Sequence, residues 1–426
     1  MDFFHYRDGQ LFCEEVRVVD IARREGTPCY IYSHKALETH FKAYDEAFAG
    51  FDHLVCYSVK ACSNLSVVSL FASLGGGCDV VSGGELFRAL RAGVSAEKIV
   101  FSGVGKTRDE INAALDAGIL MFNVESSQEL DFINQLAAEK SKIAPVSLRI
   151  NPDVDPQTHP YISTGLSTNK FGIPISRAVS LYQRAAGLSH VRVVGVDCHI
   201  GSQLTQVNPF RDAMKRVKLL VQELRRLKLD IHYLDIGGGL GIRYEDEKPP
   251  MPSEYARAVL DEVKDLGCVL IMEPGRSLVG NAGIMVSKVL YTKEGETKKF
   301  VIVDAGMNDL VRPSLYHAYQ KIVPIREDVD GGDNAQTVDV VGPICESGDF
   351  LAQNRLLPPC KPGDLLAVMS AGAYGFTMAS NYNSRPRVPE IMVMGDQYSL
   401  IRRRETFDDL VAGEKMIDWA ASPGGK

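Results

Sequence analysis

Between residues 53 and 274 short apolar runs alternate with amphipathic helical stretches, and this rhythm limits the folds open to the chain more than any other feature. Eight candidate strands follow one another: LVCYSV (54–59), CDVV (78–81), KIVFSG (98–103), LMFNVE (120–125), PVSLRI (145–150), VRVVGVDCHI (191–200), YLDIGGG (233–239) and VLIMEP (269–274). Helical patterns such as GELFRALRAG, DEINAALDAG and SEYARAVLDEVKDLG lie between them, several closed by a glycine, and HKALETHFKAYDEAFAG precedes the first strand. Eight such units suit a closed parallel (β/α)8 barrel better than an open sheet.

After Glu273 the texture changes. GIMVSKVLYTK, KFVIVDAG, TVDVVGP and DLLAVMSAGAYG are β-branched and punctuated by turns, with no long helices between them, as in a mainly antiparallel β domain. The expected division is a barrel over 28–277 and a β domain from 1–27 and 278–426, with the first 25 or so residues as edge strands.

Composition excludes several classes. Hydrophobic residues at 45% and charged residues at 24% are ordinary globular values, not those of a disordered chain. A net charge of -7 argues against a broad nucleic-acid surface while permitting local positive pockets for anions. The nine cysteines are scattered without a Cys-x-x-Cys pair, and no histidines stand at zinc spacing, so neither a disulfide framework nor a metal site is expected. No secretory signal and no apolar run of membrane-spanning length is visible, which makes a reducing cytoplasm the expected compartment and a membrane partner unexpected. The run Arg402, Arg403, Arg404 reads as a solvated face.

In a parallel barrel the reactive face lies at the strand C-terminal ends. There the sequence places Lys60, Asp79, Glu85, Arg149, His199, Gly237, Gly238, Gly239, Glu273, Gly275 and Arg276. Location leaves two readings open for Lys60: a cation that snorkels to solvent, or an amine nucleophile. The glycines are either a turn or a nest of backbone N–H groups for a phosphate. Taken together, a phosphate nest and a Schiff-base lysine at one barrel mouth suggest pyridoxal phosphate.

The motifs CYSVKAC, GCDVVSGGEL, HPYISTGLSTNKFGI, DCHIGSQ, DIGGGLG, EPGRSLVGNAG, DAGMNDLVRPSLYHAY, VVGPICESGDFLA and AGAYGFTMASNYN occur in this order. Together they resemble the diaminopimelate decarboxylases, within the fold type III barrel-plus-β-domain enzymes that use pyridoxal phosphate. The lysine motif departs from the commoner YAVKAN form at Ser58 and Cys62, a change expected to tune packing.

The resemblance implies that Lys60 holds pyridoxal 5'-phosphate as an internal aldimine and that Glu273 faces the pyridine nitrogen, where a carboxylate favours a strong electron sink. It implies that His199 stacks on the ring and that Ser202, Gly237, Gly238, Gly239 and the backbone of Gly275 and Arg276 surround the phosphate, with Tyr374 touching both phosphate and substrate. Asp79, Glu85 and Arg149 would orient lysine and cofactor. Diaminopimelate carries a carboxylate and an ammonium at its far end; Arg276, Arg312 and Tyr316 would grip the former and Glu346 the latter. Cys345 would protonate the carbanion at Cα. By the same resemblance Cys345, Glu346 and Tyr374 would reach the barrel mouth of a second subunit, giving a homodimer with composite sites. The expected reaction is decarboxylation of meso-diaminopimelate to L-lysine. The alternatives are a related decarboxylase of another basic amino acid or carboxylated polyamine, disfavoured by Arg312, Tyr316 and Glu346, and a catalytically dead regulatory homologue, disfavoured by the intact Lys60 and Cys345.

Overall fold

The computed structural model describes residues 3–154, 170–327 and 334–419. Eight parallel strands close on themselves in chain order: His53–Ser58, Gly77–Val80, Ile99–Phe101, Met121–Val124, Ala144–Asn151, Val191–Asp197, Tyr233–Asp235 and Val269–Met272, the last pairing back onto the first. The expected (β/α)8 barrel is therefore present. Of the motifs above, the first eleven residues of HPYISTGLSTNKFGI lie outside the described residues.

Seven outer helices follow the first seven strands, from Leu65–Ser73 to Pro252–Val263, and several start on a side-chain cap. Thr107 and Glu110 form a reciprocal capping box, and Ser82 and Ser126 accept from backbone N–H groups of the first turn. Only the four-residue helix Arg276–Val279 follows the eighth strand. The helix His34–Ala47, which precedes the first strand, packs against Pro252–Val263, Leu65–Ser73 and Arg276–Val279 and so fills the remaining place in the ring.

Period-two alternation divides the barrel interior into layers. Cys56, Val100, Met121 and Ile271 cluster in an apolar lower layer. Two residues further along the same strands stand Ser58, Ser102, Asn123 and Glu273, all buried and all polar. The strands thus change from core to chemistry within one pleat.

The second sheet runs Phe350–Leu357, Gln336–Val341, Lys299–Val303, Gly283–Glu294, Cys29–Ser33, Glu390–Met394, Gln397–Arg402, with Leu365–Val368 also paired to Gly283–Glu294. Most pairs are antiparallel; Lys299–Val303 with Gln336–Val341, and Cys29–Ser33 with Glu390–Met394, are parallel. Cys29–Ser33 lies on the barrel side of the boundary expected at residue 28, yet its hydrogen bonds belong to this sheet, and all five of its residues are buried, as a central strand requires. The N-terminal residues are not edge strands of this sheet. Phe4–Arg7, Gln10–Cys13 and Val16–Arg17 form a separate three-stranded antiparallel sheet, joined to the β domain by the Gln10–Arg326 bridge. Leu11, Cys13, Val18 and Ile21 pack against Ile31, Ile284, Ala367 and Ile391, so apolar burial adds to backbone hydrogen bonds such as Leu11 N–H to the Ile325 carbonyl at 2.8 Å in holding it there.

Candidate active site

Lys60 stands on a single 3-10 turn, Val59–Ala61, directly after the first barrel strand. Its Nζ donates to Asp79 Oδ2 at 2.7 Å, where the Lys60 side chain is 38% exposed and that of Asp79 fully buried. Ser58 Oγ lies 2.8 Å from the same carboxylate oxygen and 3.0 Å from the Glu273 carbonyl. Burial opposes charge on both partners. The Asp79 charge and hydrogen bond nevertheless push the lysine above its ordinary value, and the Lys60 charge with the Lys60 and Ser58 hydrogen bonds holds Asp79 below the usual carboxylate range. The Ser58 departure from the commoner motif thus has a use: its hydroxyl ties strand one to the carboxylate that pairs with Lys60.

Glu273 Oε1 accepts from Ser102 Oγ at 3.2 Å and from Asn123 Nδ2 at 3.3 Å. The Asn123 amide also donates to Asp235 Oδ2 at 3.0 Å and is itself oriented by Ser147 Oγ. Asp197, Asp235 and Glu273 bring carboxylate oxygens within 4.8 Å of one another, a donor set that cysteine and histidine spacing did not reveal. Burial, reinforced by the neighbouring carboxylates, pushes Glu273 and Asp197 well up; burial also takes Asp235 to about 6. This layer holds protons readily and favours a cationic N–H donor.

His199 and the glycines after strand seven form a second wall. Gly238 N–H donates to His199 Nδ1 at 3.1 Å, so that nitrogen is an acceptor and the ring is neutral. Burial pushes His199 down to about 3, with the Arg149 and Lys60 charges acting the same way. A Cβ at Gly238 would lie 2.2 Å from the Glu273 carbonyl oxygen, and one at Gly239, where φ is 112°, would lie 2.5 Å from that of Gly201. The chain therefore needs bare backbone here. Gly275 sits between Ser58 and Ala61, where a Cβ would come within 3.0 Å of the Ser58 Cβ.

Arg276 and Arg312 are both 7% exposed. Arg276 donates through Nη1 to Tyr244 Oη at 2.6 Å and through Nη2 to Ser202 Oγ at 3.0 Å, and its guanidinium lies 4.9 Å from the Tyr374 ring centroid. Arg312 opens the short helix Arg312–Tyr316 and lies 4.6 Å from the Tyr244 ring centroid. With the amide of Gln320 turned to suit its neighbours, its oxygen accepts from Arg312 Nη1 at 2.7 Å. Tyr316 ends that helix.

The sequence-predicted residues do not all converge. Lys60, Asp79 and Glu273 form one cluster, and Ser202, Arg276, Arg312 and Tyr374 another beside it. Arg149 pairs instead with Glu125, at 3.0 Å, and Glu85 accepts the Val81 N–H at 2.8 Å, its carboxyl pushed by burial to about 7. Both brace the barrel wall, and Glu85 also feels the Lys60 charge. Tyr374 corrects an expectation. It stands at the barrel mouth of its own chain, its backbone N–H donating to the Ala61 carbonyl at 2.8 Å, because the short loop from strand Leu365–Val368 returns across the Lys60 turn. Cys345 and Glu346 are exposed on the loop between Gln336–Val341 and Phe350–Leu357, with Cys345 N–H donating to Asn383 Oδ1 at 2.7 Å.

Sequence reading missed Tyr244, Ser102, Asn123, Asp197, Asp235 and Gln320. For Ser102, Asn123 and Asp235 a signal existed: each stands at the polar end of its candidate strand, on the same face as apolar residues two positions earlier. Tyr244 had none, since nothing in GIRYEDE distinguishes a packing tyrosine from one that contacts two arginines.

Residues 34–280 match the family model described as pyridoxal-dependent decarboxylase, pyridoxal binding domain. The barrel with its mouth lysine thus belongs to the pyridoxal-dependent decarboxylases. The diaminopimelate decarboxylase of Pseudomonas aeruginosa is 54% identical over 418 residues, 98% of this chain and 100% of its own, and that of Vibrio cholerae is 52% identical over 421 residues with the same coverage. Within that class the chain belongs to the diaminopimelate decarboxylase family. Among solved structures, Helicobacter pylori diaminopimelate decarboxylase complexed with L-lysine superposes with a TM-score of 0.89 at 43% identity, covering 92% of this chain and 98% of that one. The M. jannaschii enzyme in co-complex with L-lysine gives 0.92 at 40% identity, covering 97% and 98%. A lysine/ornithine decarboxylase from Vibrio vulnificus, at 21% identity and a TM-score of 0.78, shares the fold.

Proposed function

We propose that this chain catalyses the pyridoxal-phosphate-dependent decarboxylation of meso-2,6-diaminopimelate to L-lysine and carbon dioxide, the last step of lysine biosynthesis. The observation that carries the substrate assignment is the pair of buried arginines, Arg276 and Arg312, next to the Lys60 cluster. A substrate whose far end were a bare amine would meet two fixed cations there.

The donor set fits the cofactor. Lys60 offers a primary amine, Gly238 and Gly239 are held as bare backbone, and the carboxylate-rich layer around Glu273 suits a ring N–H. When bound, the cofactor supplies an electron sink for the electrons left behind as carbon dioxide departs. Lys60 would hold it covalently, and Asp79 would hold the lysine nitrogen in place and favour positive charge on it. Ser58, Ser102 and Asn123 would fix the orientation of Asp79 and Glu273. The neutral ring of His199 would pack on the cofactor face. Ser202, Gly237, Gly238, Gly239 and the backbone of Gly275 and Arg276 would receive the phosphate.

Arg276, Arg312, Tyr316 and Tyr374 would bind the distal carboxylate and Glu346 the distal ammonium, while Cys345 would deliver a proton to Cα after carbon dioxide leaves. Cys345 and Glu346 would do so from the second subunit of a homodimer. A cytoplasmic setting suits nine free thiols. Among the described residues no helix is long and apolar enough to cross a membrane.

Two measurements test the reading. Purified protein should show a Schiff-base absorbance band that Lys60→Ala abolishes; an unchanged band would remove the cofactor assignment. Carbon dioxide release should favour meso-diaminopimelate over L-lysine, ornithine and arginine, and preference for any of the other three would overturn the substrate.

A further inference from the structure

Arg276 and Arg312 are buried cations without a counter-ion: among the described residues neither forms a salt bridge. Burying an unpaired charge is costly, and burying two of the same sign side by side adds repulsion. Burial pushes Arg312 below the ordinary arginine value, with the Arg276 charge adding to the effect, whereas at Arg276 the same burial is outweighed by its tyrosine contacts, chiefly Tyr244, and it lies above that value. Their contacts are neutral, namely the Ser202 hydroxyl, the Gln320 amide and aromatic faces. One residue serves both. Tyr244 accepts from Arg276 Nη1 at 2.6 Å through its hydroxyl, while its ring lies 4.6 Å from the Arg312 guanidinium.

We propose that Tyr244 is a positioning residue that sets selection for a distal carboxylate, by holding Arg276 and Arg312 as one preorganised pair whose charge no carboxylate among the described residues of their own chain compensates. This rests on the assignment of the two arginines to the distal carboxylate. A carboxylate in place of the phenol would pair with the arginines and compete with the ligand. A tyrosine gives them an acceptor and a π face without cancelling their charge. The segment that carries it is anchored on both sides. Gln203 donates to the Ile242 carbonyl at 2.6 Å and accepts its N–H at 3.1 Å, Tyr244 N–H donates to Glu247 Oε2 at 2.9 Å, and Asn281 Nδ2 donates to the Arg243 carbonyl at 3.0 Å. A held backbone places the ring, and the ring places two guanidiniums.

The test uses holoenzyme of the wild type, Tyr244→Phe and Tyr244→Leu. Cofactor absorbance reports the Lys60 site, KM and kcat are measured with meso-diaminopimelate, and inhibition is compared between L-lysine and pentane-1,5-diamine, which differ by the carboxylate in question. Tyr244→Phe should raise KM roughly tenfold, as expected for a lost hydrogen bond to a charged group, with kcat within about threefold of wild type. Inhibition by L-lysine should weaken in step while that by the diamine stays constant. Tyr244→Leu should extend both trends, and Tyr244→Phe, which keeps the ring volume, decides the matter if the leucine variant does not fold. An unchanged KM in Tyr244→Phe, or equal weakening of both inhibitors, would overturn the proposal while leaving the enzyme assignment intact. A wild type that releases no carbon dioxide from meso-diaminopimelate would overturn both.

Discussion

The backbone N–H of Tyr374 donates to the carbonyl of Ala61, the residue after Lys60, at 2.8 Å, and Thr377 Oγ1 reaches the same oxygen at 3.4 Å. The β domain therefore holds the lysine turn of its own chain. Tyr374 adopts a φ of 56°, a left-handed conformation unusual for a bulky side chain, and its ring meets the Arg276 guanidinium. What this chain supplies to its own mouth is thus separable from what it leaves exposed, Cys345 and Glu346.

That separation yields a complementation experiment. If Cys345 serves the mouth of the partner, Lys60→Ala and Cys345→Ala preparations should each be nearly inactive. Subunit exchange between them should then restore up to about a quarter of wild-type turnover, because half of the dimers are hybrids with one intact site. A mixture no more active than its components would place Cys345 and Lys60 in the same chain's site or outside it.

Gly238→Ala should damage the site through backbone alone. The new Cβ would lie 2.2 Å from the Glu273 carbonyl oxygen, an atom directly after the eighth strand, so the loop or the strand end must move. A loss of about 2 kcal/mol or more in stability is expected, together with lower cofactor retention. Gly105→Ala is the control, since a Cβ there would have no neighbour within 4 Å and its φ is not positive. Thermal melts and the bound-cofactor absorbance of the two variants should differ accordingly; matching values would show that the cradle tolerates a side chain.

The β domain should carry its own pH dependence. Asp309 is buried, accepting from Gly306 N–H and Asn308 Nδ2 at 3.0 Å each, and burial pushes its carboxyl from 3.8 to about 7. The folded state therefore keeps a proton that the unfolded chain releases. The stabilisation from this group is full below about pH 4, falls as pH rises to about 7, and is flat above that. The expected change is of order a few kcal/mol at most. Asp309→Asn should remove this part of the slope in denaturant titrations between pH 4 and 8, and a variant with the wild-type slope would assign the dependence elsewhere.

The barrel was legible because a strand-helix rhythm is written locally, in runs of four to ten residues. Lys60, Glu273 and the glycines were legible because motif and strand end coincide. Much of the site's support was not. Asn123 reaches Glu273 from another strand, and no local pattern announces that four strand ends will meet. Tyr244 looked like packing, since its value lies in two arginines, 32 and 68 positions away along the chain, that close on it only when folded. Cys29–Ser33 read as a prelude to the barrel because a strand buried on both faces carries no mark of which sheet it will join.

That strand has a consequence for how the molecule is made. Cys29–Ser33 emerges early from the ribosome, but its two neighbours are Gly283–Glu294 and Glu390–Met394. Until the last of these is synthesised, the apolar segment CYIYS has an open hydrogen-bonding edge, and the sheet cannot close before nearly the whole chain is available. A nascent chain stalled or truncated before residue 390 would hold an assembled barrel and an adhesive edge at once, a species suited to aggregation and to capture by chaperones.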